Sequence, residues 1–348
     1  MDLNFVPDEH IFFLKEAMFY KKIENKRVEC ELCPRECRVG DMERGYCGVR
    51  ENRNGTYYTL VYGNPCAIHV DPIEKKPFFH FCPGANAFSI STAGCNFNCK
   101  CCQNWQISQS RPEQTENVKL SPEDVISEAK RNYAKIIAYT YAEPIVFYEY
   151  MLATSKLARK NMVKSVVITN GCIQEKPLKE LCETVDAIKI DLKSFSEKYY
   201  LEIANGELKP VLNTLKNLKK NKVWFEIVYL VLPGLNDSER EIKNMCVWIN
   251  DNLGKDVPLH FSRFYPMYKL RNLPSTPVDT LTRLRKLVMS SGIKYVYVGN
   301  ILGHEGESTY CANCGKVLIK RIGYQILEYV ITKGRCKYCN EKIPGIWN

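Results

Sequence analysis

Ala93-Gly94-Cys95-Asn96-Phe97-Asn98-Cys99-Lys100-Cys101-Cys102-Gln103-Asn104-Trp105 is the stretch whose reading decides the rest of the chain. Cys95, Cys99 and Cys102 form a C-x3-C-x2-C spacing. They follow a β-like run, Phe88-Ser89-Ile90-Ser91-Thr92-Ala93. This predicts a tight loop leaving a strand and aiming three sulfurs at one point. The number three is informative. A structural zinc ion is closed by four ligands, whereas a catalytic metal keeps one position open. Iron–sulfur clusters are ordinarily held by four cysteines. Three on a four-iron cube leave one iron free for a small-molecule ligand. A zinc knuckle and a chance group of core thiols are the plainer readings. Cys101 also permits C-x3-C-x-C, which ranks second.

Gly94 followed by this cysteine spacing at a strand end resembles the radical S-adenosylmethionine (SAM) superfamily. The resemblance implies a 4Fe-4S cluster whose free iron chelates SAM. An electron from the cluster cleaves SAM to a 5′-deoxyadenosyl radical. It also implies a low-potential electron donor, such as ferredoxin or flavodoxin. One residue departs from the pattern. An aromatic side chain that contacts adenine usually precedes the last cysteine, and here that position is Cys101.

Outward from the loop, residues 87–305 alternate short apolar runs with amphipathic segments. Strands are expected at Ala87–Ala93, Lys135–Tyr141, Ser165–Thr169, Ala187–Leu192, Trp224–Val231, Pro258–Phe264 and Lys294–Val298. Ser121-Pro122-Glu123-Asp124 carries a helix-start signal, with a hydroxyl at the N-cap and proline at N1. Further helices are expected from Pro144 and over Val211–Asn221. The alternation argues for an α/β fold, a parallel sheet covered by helices. Six or seven repeats are too few for an eight-stranded barrel. An open, partial (β/α)6-type barrel follows, and it is the fold the resemblance implies. Chemistry in such sheets sits at the carboxyl ends of the strands.

Those ends carry Glu143 in Thr140-Tyr141-Ala142-Glu143-Pro144, Asn170 in Thr169-Asn170-Gly171, and Asp191 and Lys193 in Ile190-Asp191-Leu192-Lys193. The superfamily places a Gly-Gly-Glu-Pro-like motif at the first, binding the amino group of SAM. Here Tyr141 and Ala142 replace the glycines. Glu143 is a SAM contact or a helix-start carboxylate. The other two fragments resemble pyruvate formate-lyase activating enzyme and its relatives, where they line the SAM and substrate cleft; ordinary βα turns are the alternative. His260, Arg263 and Tyr265 would hold a substrate carboxylate or a proton, unless His260 is a satisfied core histidine.

Two flanking modules carry further cysteines. Residues 1–50 are expected to hold a helix over 9–26 and a site of Cys30, Cys33, Cys37 and Cys47. That site is zinc or, given the Cys-Pro pair, a second iron–sulfur cluster. Residues 51–86 read as an extended linker packed on the core, with Asp71–Phe81 either a binding loop or a cover. In residues 306–348, Cys311, Cys314, Cys336 and Cys339 stand as two C-x2-C pairs around a hairpin, a zinc-ribbon-like module. The chain has 348 residues and seventeen cysteines. That many thiols in metal-type spacings points to a reducing interior rather than a disulfide frame. The early acidic residues and the short Ile11–Leu14 run do not make a signal segment, and no apolar stretch reaches membrane length. The expectation is cytoplasmic. Net charge is +10, but metal-bound thiolates would lower it to roughly +5. Support for a nucleic-acid partner is correspondingly weak.

Taken together, Cys30-x2-Cys33-Pro34-Arg35, Asp71–Pro77, His80–Gly84, Gly94–Ser108 and Ile343–Trp347 resemble the AmmeMemoRadiSam-system radical SAM proteins over nearly the whole chain. That family is often labelled pyruvate formate-lyase activating enzyme-like, a label that does not fix a substrate. Three functions compete. One is a radical SAM enzyme abstracting hydrogen from a protein, as glycyl-radical activases do. The second modifies RNA or a small molecule. The third is a non-catalytic metal-binding scaffold.

Overall fold

Strands with almost no exposed residue build the centre of the molecule. Lys164–Thr169 and Trp224–Val231 are buried along nearly their full length, as strands covered on both faces must be: helices pack one face, and Ile73, Phe78 and Phe81 pack strand residues of the other. The computed structural model describes residues 14–347. Its main sheet contains β1 (Ala67–Pro72), β2 (Asn86–Ser91), β3 (Ile136–Tyr139) and β4 (Lys164–Thr169). It continues with β5 (Ala187–Asp191), β6 (Trp224–Val231), β7 (Leu259–Arg263) and β8 (Val296–Gly299). They lie side by side in chain order. β2 to β8 are parallel, and β1 runs antiparallel along the β2 edge.

Six helices alternate with the parallel strands: α1 (Pro122–Arg131), α2 (Tyr148–Lys160), α3 (Glu175–Cys182), α4 (Leu208–Lys220), α5 (Glu239–Asn252) and α6 (Val278–Ser290). The six β/α units from β2 to α6, closed by β8, form the partial barrel that the sequence pattern predicts. The α1 start signal is realised. Ser121 Oγ accepts from Asp124 N, and Asp124 Oδ2 accepts from Ser121 N. The helix expected from Pro144 begins as a 3-10 turn, Pro144–Phe147, and becomes α-helical only at Tyr148.

The N-terminal expectations need two corrections. The helix over 9–26 is not formed from residue 14 onward; residues 9–13 lie outside the described residues. Instead Tyr20–Lys22 pairs antiparallel with Val28–Cys30. Asn25 and Lys26 both take positive φ in the intervening turn. Such turns match the twist of a hairpin, and a left-handed pair cannot continue a helix. Residues 51–86 are extended and packed on the core as expected, but as paired strands rather than as a linker. Arg50–Arg53 and Thr56–Thr59 form a hairpin that also pairs with Lys15–Glu16, and β1 is part of the main sheet.

The C-terminal module has a three-stranded antiparallel sheet of Thr309–Tyr310, Val317–Ile322 and Gln325–Tyr329. Its core is continuous with Phe79, Tyr295 and Tyr297 of the barrel side. The tail then returns to the barrel, where Cys82 N donates to Ile346 O and Ile346 N to His80 O. Among the described residues, no helix is long and apolar enough to cross a membrane.

Candidate functional site

A loop that leaves β2 and must turn back under it needs backbone anchors, and this one has several. Gly94 N donates to Ile107 O, Lys100 N to Ile203 O and Asn98 N to Ala204 O. Ile203 and Ala204 belong to a π-helical turn, Tyr200–Ala204, a rare geometry concentrated at functional sites. Gly94 sits at φ +92°, and a Cβ there would stand 2.6 Å from Cys47 O and from Val49 Cγ1. The loop thus lies flush on the N-terminal module. Asn96 is buried and donates to Cys172 O while its Oδ1 accepts from Asn170.

The carboxyl ends of the parallel strands surround a cavity of about 490 Å³, within the ~300–1,000 Å³ of small-molecule sites. Cys95, Cys99 and Cys102 line it from the β2 loop. Glu143, Asn170, Asp191 and Lys193 line it from the ends of β3, β4 and β5. All seven residues singled out around the core loop therefore reach one space.

Glu143 does the work of a helix start, accepting from Ile145 N at 3.1 Å. It also accepts from Thr169 Oγ1 at 2.5 Å and Asn170 N at 2.8 Å. Burial pushes its carboxyl up to about 7, against the pull of those donors. Asn170 spends its side chain on Asn96 and on Cys172 N. Asp191 is gripped by Lys189 at 2.7 Å and Lys193 at 2.9 Å. Burial opposes its charge, but the two ammonium groups hold it well below the usual carboxylate range. Burial opposes the Lys193 charge in turn, but Asp191 and the Cys99 and Cys101 sulfurs together raise it.

Cys101 is buried in an apolar cluster with Leu232, Phe264 and Leu270, and its thiol meets the Tyr199 hydroxyl. Cys102 is less buried and lies 3.2 Å from Ser108 Oγ. Burial raises the Cys95 and Cys99 thiols. Thiolates there need a compensating cation, as iron supplies, and the Lys193 charge already favours the Cys99 thiolate. Three thiols that share a cavity and need positive charge fit the iron–sulfur cluster that the loop spacing implies.

Arg263 and Tyr265 do not join this group. Arg263 donates to Thr276 O, and Tyr265 to Asn300 O. His260 borders the cavity, but its Nε2 lies 2.7 Å from buried Glu226, which is the satisfied-core arrangement. The Asp71–Phe81 segment is both loop and cover. Phe78 and Phe81 are fully buried, while Lys75 and Lys76 line the cavity. Lys76 is paired with Asp71 at 2.7 Å, and burial lowers it to about 8 despite that partner. Lys189 was missed by the strand-end search because it sits inside β5. Its signal was a lone charge in the apolar run Ala187-Ile188-Lys189-Ile190.

The outlying cysteines form two separate groups. Cys311 and Cys339 sulfurs are 3.5 Å apart, and Cys314 and Cys336 sulfurs 3.8 Å. All four lie within 4.8 Å of one another, close enough to share one tetrahedral ion. Cys30, Cys33, Cys37 and Cys47 line a second, smaller cavity.

With that geometry, comparison with known proteins gives four findings. A family model described as the radical SAM superfamily matches residues 89–246. The uncharacterized protein MJ0808 of Methanocaldococcus jannaschii is 45% identical over 332 residues, 95% of this chain and 99% of its own. The benzylsuccinate synthase activating enzyme of Thauera aromatica is 21% identical over 207 residues, 53% of this chain and 61% of its own. Among solved structures, a radical SAM methyltransferase from Sphaerobacter thermophilus matches with a TM-score of 0.52 at 15% identity. That match covers 68% of this chain and 71% of the other, and at this identity it is a likeness of fold.

Proposed function

The chain belongs to the radical SAM superfamily, and from that premise we propose that Cys95, Cys99 and Cys102 hold a 4Fe-4S cluster for radical chemistry on a substrate. Such a cluster, with SAM on its free iron and an electron from a low-potential donor, supplies a 5′-deoxyadenosyl radical that abstracts hydrogen. The observation that carries this reading is the convergence of three loop thiols and four strand-end polar residues on one cavity.

The chain's own groups then divide the work. The Glu143 carboxylate keeps a lone pair for an ammonium beyond its three donors. The Asp191–Lys193 pair sets opposite charges beside the Cys99 sulfur, so a zwitterionic ligand meets a matching partner for each end. Phe79, Phe97, Tyr141 and Tyr199 give the cavity apolar walls, and Tyr199 beside Cys101 is the aromatic candidate for the adenine. We assign zinc to Cys311, Cys314, Cys336 and Cys339, since zinc–thiolate bonds of about 2.3 Å put sulfurs about 3.8 Å apart.

Likeness to an activating enzyme favours a protein substrate and a glycyl-radical activase-like reaction. The same reading places the chain with the AmmeMemoRadiSam-type proteins and in the cytoplasm, with ferredoxin or flavodoxin as donor. The test is anaerobic. Reconstituted, reduced protein should form 5′-deoxyadenosine from SAM, and Cys99→Ala should abolish it. Full cleavage by Cys99→Ala would overturn the reading.

A further inference from the structure

Cys30, Cys33, Cys37 and Cys47 belong neither to the SAM cavity nor to the C-terminal quartet. We propose that they hold a second iron–sulfur cluster, of the four-iron kind, rather than zinc. Sulfur spacing carries the distinction. Four thiolates on one zinc ion must approach to about 3.8 Å, and the C-terminal quartet comes close to this, with two pairs at 3.5 and 3.8 Å and all four within 4.8 Å. Among the described residues it is the one group that brings three or more ligand atoms within 4.8 Å of one another. The N-terminal thiols do not meet that limit, yet all four line a single cavity. Cys95, Cys99 and Cys102 show the same combination of one shared cavity and wide spacing. A cube places an iron tetrahedron between its ligands and so holds them farther apart than a lone ion does. One molecule therefore contains both spacings, and the N-terminal quartet has the wider one.

The surroundings suit an anionic sulfur cluster. Backbone amides favour the thiolate form of these sulfurs. Tyr46 N lies 3.4 Å from Cys37 Sγ, and the amides of Leu32, Arg35 and Val49 pull against the burial that raises the Cys30, Cys33 and Cys47 thiols. Hydrogen bonds to sulfur are one of the ways a protein sets a cluster's potential. Arg50 also lines the cavity and is 1% exposed. Its Nη1 stands 4.0 Å from Cys30 Sγ, and its Nε has no protein partner. The guanidinium is otherwise held by Glu149 and Met18 O; bridging sulfides add acceptors beside it, whereas a zinc ion closed by four thiolates adds none.

Position suggests what the cluster is for. Cys47 O touches the space over Gly94, the residue before Cys95. Asn96, inside the triad's loop, lines the N-terminal cavity as well. An electron delivered to this cluster by a low-potential one-electron donor arrives next to the triad's loop, with no bond made or broken. The comparison with the triad rests on the cluster proposed for it above, while the metal counts below do not depend on SAM turnover.

The experiment uses the full chain, reconstituted anaerobically with iron and sulfide, and counts metals. Wild type should carry about eight irons and about eight labile sulfides with about one zinc. Its dithionite-reduced EPR spectrum should show two interacting centres. The triple variant Cys95→Ala/Cys99→Ala/Cys102→Ala should keep about four irons and a single EPR signal. Adding Cys33→Ala and Cys47→Ala should remove both. Wild type with about four irons and about two zinc ions overturns the proposal, however the variants fold. SAM cleavage is read separately. Active wild type with one cluster sinks this proposal alone, and inactive wild type with two clusters sinks only the reading of the SAM site.

Discussion

Cys101 and Cys102 are neighbours, and one of them completes the triad. The spacing ranks Cys102 first, and the packing agrees. Cys101 packs among Leu232, Phe264 and Leu270 at the cavity wall, so turning it toward the cluster would open a void there. Cys102→Ala should therefore lose the SAM-site cluster, whereas Cys101→Ala should keep it and weaken SAM binding; iron counts on the two variants decide. Glu143→Gln tests a different role. It preserves shape and the bonds from Ile145 N and Thr169 Oγ1 but removes the charge and the acceptor for Asn170 N. A charge-assisted hydrogen bond is worth about 1.5–3 kcal/mol, so SAM should bind roughly 10- to 100-fold more weakly at unchanged iron content. Equal affinity would leave Glu143 as a helix start only. At this scale the legible residues were those whose type and spacing state their chemistry, such as the triad. Lys189 and Asn96 were not legible, because their value lies in which way a strand or loop turns them.

Elements were legible where burial leaves a mark in composition. All seven predicted parallel strands are present, because strands covered on both faces must be runs of apolar residues. The first N-terminal hairpin was not, whereas the extended reading of 51–86 holds for the second. Tyr20-Lys21-Lys22 has no clear period, and its turn relies on positive φ at Asn25 and Lys26, which are not glycine. The close fit of that module against the cluster loop was equally hidden, although it rests on one residue. Gly94→Ala would strain a left-handed backbone and press a methyl group on Cys47 O and Val49. Backbone strain of about 1–3 kcal/mol and overpacking of about 1–3 kcal/mol should lower stability by a few kcal/mol and loosen both iron sites. Gly234→Ala is the control. Its φ is +72°, but a Cβ there meets nothing within 4 Å, so only the strain remains. Similar thermal shifts for the two variants would show that the tight contact at Gly94 carries no weight.

The whole molecule is held together where residues 73–82 are clamped between the barrel and the C-terminal module. Buried Arg321 reaches Thr309 and Phe79 O and lies 3.6 Å from buried Glu74. His80 is the pivot, with Nδ1 2.6 Å from Pro344 O and Nε2 2.5 Å from Tyr297 Oη. Burial lowers its pKa to about 4, overriding the nearby Glu226 charge. The unfolded chain takes a proton on this ring as pH falls through about 6.5, and the folded chain does so only near 4. The stabilising effect is thus complete above about 6.5 and is lost as pH falls toward 4, on the order of 3 kcal/mol. Acid also strips metal from thiolates, so wild type alone would not isolate the histidine. His80→Gln shares every metal site and lacks the titrating ring. It should be less stable than wild type at pH 7.5, and its urea midpoint should fall less steeply between pH 7 and 5. Parallel curves for the two proteins would mean that the clamp does not sense acid through His80.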